Sequence, residues 1–364
     1  MYDGPWTEWG NVVGLPIERG PKTVRSFSRT FAQKNTMEGK TTMKERIFRL
    51  GLYLGLAVLS LEAIGQGFPS KPVRFIIPFP PGAGPDIVSR TIAPKLSERW
   101  GQQIVVDNRP GGGGNIAVEL SAKAVPDGHT LLLASNHVTI NPSLFEKIPY
   151  NPKQDFIGVT LAAVTPNILV VHPSLPSKSV KELVTLAKSK PGQINFSSGG
   201  NGSVGHLAAE MFKASTKVDM VHIPYKGPTA AITALLSGEA SIGFLLAAAA
   251  LPHTKTGKLR GLAVTGSNRS PAAPELPTVV ETGVAGYDIV AWQGVFAPTG
   301  TPQNIIKKIY SDTIAVLGMP DIRRALLAQA FEPVGNTPEE FSEYIKNDLV
   351  KWARVVREAR VQVD

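Results

Sequence analysis

Apolar residues along this chain fall into two alternating patterns: short unbroken runs, and stretches where they recur every three or four positions. The runs at 73–77, 104–107, 129–134, 168–171, 193–197, 218–223, 242–245, 259–265 and 289–296 have the length of buried strands. Between them Ile87, Val88, Ile92 and Leu96 keep a helical period, as do Ile116, Leu120 and Ala124, which are expected to face inward, and again Leu207, Ala208 and Met211. Pro94 inside the first of these predicts a kink or a break. Further helices are expected at 229–236, 247–256 and 303–317. Ser179-Val180-Lys181-Glu182 and Thr337-Pro338-Glu339-Glu340 both read as capping boxes. The long final helix carries Phe341, Tyr344, Ile345, Leu349, Trp352 and Val356 on one face, a core-packing stripe. Strands alternating with helices in this way predict an α/β chain.

The joints between the patterns are more informative than the runs. The first strand ends in Pro78-Phe79-Pro80-Pro81-Gly82-Ala83-Gly84-Pro85-Asp86, directly before a helix. Gly82 and Gly84 allow a tight turn, and Pro85 suits the first helical position. Such a loop aims backbone N–H groups and the positive end of a helix dipole at one point, a ready anion site. One loop of this kind is equally a plain strand–helix connection. The device recurs, however, at Asn108–Asn115, at Ser135-Asn136-His137 and, in a second series, at Ser198-Gly199-Gly200-Asn201-Gly202-Ser203. Tyr225-Lys226-Gly227 ends another strand. In open α/β sheets these loops gather at the carboxyl edge, where ligands bind. Two such units predict two lobes with a cleft between them. The expected division is 66–168 with 292–364 as lobe 1 and 169–291 as lobe 2, with hinge strands near 168–171 and 289–292.

Composition changes this picture mainly at the start of the chain. Met43, Lys44, Arg46 and Arg49 precede an apolar run to Leu61 and the small-residue pattern Ala63-Ile64-Gly65. Residues 43–65 therefore read as a cleaved secretory signal, too short for the ~20 residues that span a bilayer. Residues 1–42 lack periodicity and are expected to be a non-native or disordered extension. The chain carries 38 Lys and Arg against 29 Asp and Glu, a net +9. Residues 1–65 hold nine of the basic and six of the acidic side chains, so +6 remains beyond them. That excess is spread thinly, without the stripe that nucleic-acid binding requires, and favours anionic ligands by weak steering. The absence of cysteine excludes a disulfide framework and thiolate chemistry. A soluble periplasmic protein, and a monomer, is the expectation.

Catalytic signatures are missing. No Walker A, HExxH or GxSxG pattern occurs, and the six histidines show no zinc spacing. Neither catalytic residues, nor a metal, nor a cofactor is expected. Gly200-Asn201-Gly202-Ser203-Val204-Gly205 does satisfy GxGxxG between a strand and a helix, so a dinucleotide-binding oxidoreductase is the rival of a different kind. Its confirming acid should end the next strand, and Asp219 instead begins it. Asp86 is an acceptor that would repel an anion, so its expected role is to cap the helix or orient loop amides. His137 and His206 are placed to donate hydrogen bonds at the site. Lys226 reads either as a fixed cation or as a solvated surface lysine, and Trp292 either as cleft lining or as core.

These segments, together with Pro126-Asp127-Gly128-His129-Thr130-Leu131-Leu132, Ile140-Asn141-Pro142-Ser143-Leu144, Pro224-Tyr225-Lys226-Gly227, Leu251-Pro252-His253 and Ala297-Pro298-Thr299-Gly300-Thr301-Pro302, occur in an order that resembles the Bug family. Its members are the extracytoplasmic receptors of tripartite tricarboxylate transporters. The resemblance covers essentially the whole chain beyond the leader. It implies a bilobed, type II-like Venus-flytrap fold with two mixed sheets flanked by helices. It also implies a small organic acid as ligand and membrane transporter subunits, or alternatively a membrane sensor, as partner. Carried over, the ligand-binding positions are Gly82, Ala83, Gly84 and Asp86, facing Ser198, Gly200, Asn201, Gly202 and Ser203, with Ser135, Asn136, His206, Tyr225 and Lys226 nearby. Where the family commonly has an acid before the Leu-Pro-His stretch, this chain has Leu245, and Pro85 replaces a usual threonine. Both changes imply a less polar far end, so a di- or aromatic carboxylate is favoured over an amino acid.

Overall fold

The computed structural model describes residues 67–361; the expected extension 1–42 and leader 43–65 lie outside the described residues. Strands β1 (Val73–Ile77), β2 (Ile104–Asn108) and β3 (Thr130–Ala134) are parallel, with β1 in the middle. Helices α1 (Gly84–Trp100), α2 (Asn115–Ala122) and α3 (His137–Leu144) follow them in turn. The chain then enters β4 (Phe156–Val171), a 16-residue strand that joins the two halves. Beyond it come α4 (Val180–Ser189), β5 (Asn195–Ser198), α5 (Val204–Thr216), β6 (Val221–Pro224), α6 (Pro228–Ser237), β7 (Ile242–Leu246), α7 (Ala247–Lys255) and β8 (Arg260–Val264). Strand β9 (Val290–Pro298) returns to the first half, followed by α8 (Gln303–Leu317), α9 (Pro320–Ala328), β10 (Glu332–Pro333) and α10 (Pro338–Ala359).

The sheet order is β2-β1-β3-β9-β4-β7-β5-β6, with β8 and β10 also pairing β4. Residues 156–166 of β4 run antiparallel to β9, while residues 167–171 run antiparallel to β7. The expected two sheets are therefore continuous through one strand. Each half is a three-layer sandwich. In the first, Phe75, Val88, Ile92, Leu96 and Ile309 pack between sheet and α1, α8 and α9, while Val118, Leu132, Trp292, Phe341 and Ile345 fill the opposite face. In the second, Leu183, Phe196, Leu207, Phe212 and Trp352 form one core and Ile168, Leu235, Leu245 and Leu251 the other.

Several local expectations change. Ile116 and Leu120, expected to face inward, are exposed, because Ala117, Val118 and Ser121 form the buried face of α2, which ends before Ala124. Helix α1 runs unbroken through Pro94; one main-chain hydrogen bond is lost there, but Val88, Ile92 and Leu96 are fully buried on one face and anchor the helix on both sides of it. Strand β4 begins twelve residues before the expected 168, because Gly158, Thr160 and Pro166 interrupt its apolar pattern. Helix α3 fills a stretch, 138–144, for which no element is expected from the sequence. The Thr337 capping box is complete, whereas Glu182 bonds the amide of Lys178 rather than that of Ser179. Trp292 is core, fully buried, with Nε1 donating to Asp348.

Candidate functional site: two helix N-termini across a cleft

The turn before α1 is built around Asp86. Its carboxylate is nearly buried and accepts from Gly82 N at 2.9 Å, Arg90 Nε at 2.9 Å and Asn108 Nδ2 at 2.9 Å. Burial pushes its pKa up, but the bonds from Gly82, Asn108 and Arg90 outweigh that and hold it below the ordinary carboxylate value. Asn108 also donates to Phe79 O, tying the turn to the end of β2. Asp86 thus shapes the loop and uses the Gly82 amide in doing so. Ala83 N donates to Pro80 O and Pro85 has no N–H. The amides that a helix leaves unbonded by geometry in its first turn are then those of Gly84 and Asp86.

The turn before α5 follows the same logic with different groups. Ser203 caps the helix, its Oγ accepting from His206 N. Gly200 N donates to Ser198 Oγ, and Gly202 N donates to His206 Nδ1 at 3.1 Å. His206 therefore accepts at Nδ1, because the amide it meets has only a hydrogen to offer, and as a neutral ring it carries its own hydrogen on Nε2. Its ring stacks on His222 at 3.8 Å, and His222 in turn stacks on Phe196 at 4.8 Å. His222 Nε2 lies 2.6 Å from Ser198 Oγ. Burial, with His222 and Lys213 close by, lowers the His206 pKa to about 3, and burial and Lys213 lower that of His222 to about 4. Both rings stay neutral and grip the two ends of the turn. Val204 and Gly205 keep first-turn amides by the same geometry. A Cβ at Gly205 would sit 2.6 Å from Phe244 O, so this glycine seats α5 on β7. That accounts for the last glycine of the GxGxxG pattern by packing alone. Asp219 precedes β6 and presents its carbonyl to Gly192 N.

The two turns meet across α3. His137 opens that helix and packs edge-on against Phe79 of the first loop at 4.9 Å. Leu144 closes it and touches the second loop, where a Cβ on Gly202 would collide with Leu144 Cδ1. Eight helical residues span about 12 Å, so one short helix touches both turns. Burial lowers the His137 pKa to about 3, so the ring is neutral and keeps one N–H, and neither ring nitrogen has a hydrogen-bond partner.

The remaining candidates are dispersed. Ser135 is half-buried beside Asn136, whose amide bonds Val290 O and Trp292 N and so stitches the β3 loop to β9. Tyr225 donates its hydroxyl to Glu239, and Lys226 and Asn201 are exposed. Leu245 points into the core beneath α6 and α7 beside Ile168. Strand alternation puts Leu246, not Leu245, on the same face as Asn167. Sequence reading missed His222 and Gln293; Gln293 Nε2 lies 3.0 Å from where a Gly84 Cβ would be. A glutamine in the apolar run 289–296 was the available signal. Among the described residues, no group of three His, Cys, Asp or Glu side chains is placed to hold a metal ion. Surface grooves of about 330 and 520 Å³ open away from the turns, one between α5 and α10 and one beside Lys71 and His129.

Residues 88–361 match the family model described as tripartite tricarboxylate transporter family receptor. The Bordetella pertussis protein BugT is 34% identical over 311 residues, 85% of this chain and 95% of that one. Among solved structures, an R. palustris protein with adipate is 34% identical with a TM-score of 0.74, covering 81% of this chain and 99% of that chain. MatC from Rhodopseudomonas palustris with bound malate is 30% identical with a TM-score of 0.68, covering 79% of this chain and 100% of that chain.

Proposed function

From the premise that this chain belongs to the tripartite tricarboxylate transporter receptor family, we propose that it captures a small organic carboxylate between its lobes and delivers it to the membrane subunits of such a transporter. The chain is a bilobed α/β solute-binding receptor of a periplasmic family, and not an enzyme. A leader at 43–65, cleaved on export, fits that location.

One observation carries the ligand reading. Two helix N-termini, one from each half, retain first-turn amides after their own loops are satisfied, and α3 bridges them. The amides of Gly84 and Asp86 face those of Val204 and Gly205 in this reading. Gly82, Ala83, Ser135, Asn136, Ser198, Gly200, Asn201, Gly202, Ser203 and His206 shape the walls, Tyr225 and Lys226 stand further out, and Leu245 lies in the core behind them. Asp86 has its oxygens engaged by Gly82, Arg90 and Asn108, which leaves no free acid to balance an ammonium. A di- or aromatic carboxylate is accordingly favoured over an amino acid, and relatives solved with adipate and malate support the acid class. We place lobe 1 at 66–168 with 292–364 and lobe 2 at 169–291, hinged where β4 and β9 pass between the halves, with the end of α10 packed on the second core.

Each anion–helix contact contributes about 0.3–1 kcal/mol when exposed and up to ~2 kcal/mol when partly buried. Four or five in a closed site reach the roughly −8 kcal/mol of micromolar binding. A thermal-shift panel of mono-, di- and aromatic carboxylates tests this. A ligand at about 100 times its Kd adds roughly 2.7 kcal/mol of stability. A shift with amino acids or sugars and with no acid would overturn the proposal.

A further inference from the structure

Three polar side chains sit where the strands cross between the halves. Thr165 and Asn167 lie on β4 and Gln293 on β9, and their exposures are 0%, 1% and 1%. Thr165 Oγ1, both Asn167 amide atoms and Gln293 Oε1 have no hydrogen-bond partner. Buried polar atoms are nearly always paired, so four unpaired ones within this short stretch mark a place that accepts a partner.

Register puts the three together. Ala163 pairs with Gln293 and Thr165 with Ala291, so residues 163, 165, 291 and 293 share one face of the sheet and Asn167 continues it along β4. Gln293 reaches Gly84 at the N-terminus of α1. Asn167 pairs with Leu246, two residues along β7 from Phe244, whose carbonyl seats Gly205 at the N-terminus of α5. The trio therefore occupies the strand surface between the two anion-binding termini.

Its chemistry is uncharged and mixed. Whichever way the amides are turned, Asn167 offers one donor group and one acceptor oxygen, Gln293 adds one of the two, and the Thr165 hydroxyl can do either. An acceptor is satisfied only by a group that brings a hydrogen. A carboxylate or a hydrocarbon chain brings none, and an ammonium brings a charge that nothing in the trio offsets. A hydroxyl both donates and accepts. Resting on the carboxylate reading above, we infer that this receptor selects hydroxylated carboxylates, with the ligand hydroxyl read by Asn167, Thr165 and Gln293.

Calorimetric titration of the chain beyond the leader with acids differing by one hydroxyl tests the inference: malate against succinate, 2-hydroxyadipate against adipate, 3-hydroxybutyrate against butyrate. The hydroxylated member of at least one pair should bind at least tenfold tighter, since a site built to bond a hydroxyl discriminates against analogues without one. Thr165→Val, nearly isosteric, and Asn167→Leu should each lower that preference to within about threefold. The wild-type ratio needs no variant, so a variant that fails to fold does not blunt the test. If acids bind but the unsubstituted member matches or exceeds its partner in every pair, the hydroxyl inference falls and the carboxylate reading stands. If none of these acids binds, the hydroxyl inference falls; if the aromatic acids of the thermal-shift panel fail as well, both fall.

Discussion

His206 holds its turn by accepting a hydrogen bond from Gly202, so protonation at Nδ1 removes the grip. His137, His206 and His222 all have pKa values lowered from the ordinary 6.5, to about 3, about 3 and about 4, with burial as the largest cause in each case. As pH falls, the unfolded chain takes up these protons first. Their contribution is fully present above pH 6.5 and is lost progressively as pH falls toward 3–4. The melting temperature should therefore drop between pH 6.5 and 4. His206→Gln, whose amide oxygen can accept without titrating, should flatten part of that drop and keep carboxylate affinity within about threefold. His206→Ala should weaken binding by about 1 kcal/mol, the worth of one hydrogen bond. Thermal unfolding across a pH series with calorimetry decides this; a His206→Gln profile identical to wild type would refute it. At this scale the sequence is legible only in part. An acid inside an anion loop must be satisfied from within, so the orienting role of Asp86 could be read directly. The direction of the His206 bond could not, because a pattern of polar letters does not say which backbone amide a ring will meet.

Elements are set by packing more than by propensity, and α5 shows it. Its start is fixed by the Ser203 cap and by the absence of a side chain at Gly205, where helix and β7 backbone touch. Gly205→Ala would set a Cβ 2.6 Å from Phe244 O, a main-chain atom with little freedom to yield. The expected cost is about 1–3 kcal/mol of stability, together with weaker ligand binding as the terminus lifts from the strand. Denaturant unfolding and titration measure the two effects; unchanged stability would show that the helix shifts without resistance. Apolar runs located the inner strands β1, β3 and β7 because both of their faces are covered. The first three-quarters of β4 escaped notice because polar residues and Pro166 lie within it, including the two that line the crossing. Helix α3, the bridge between the turns, was hidden by Pro142 in its last turn, although four residues from 137 to 140 are buried.

Across the whole molecule, α10 belongs to both halves. Phe341 and Ile345 sit in the first-half core, while Trp352, Val355 and Val356 sit in the second-half core. Midway between them Asp348 Oδ2 accepts from Thr139 Oγ1 at 2.7 Å, Trp292 Nε1 at 2.9 Å and Trp352 Nε1 at 2.9 Å. One carboxylate oxygen thus joins α3, β9 and α10. Beyond residue 66 the chain has three tryptophans, and two of them share this oxygen. A rotation of one half against the other alters the field at both indoles together, which makes the receptor its own optical gauge. Adding a bound acid should shift or quench the intrinsic emission in proportion to occupancy, and Asp348→Asn should shrink that signal. Emission that stays constant while calorimetry reports saturation would mean that the junction is rigid and that any closure takes place elsewhere.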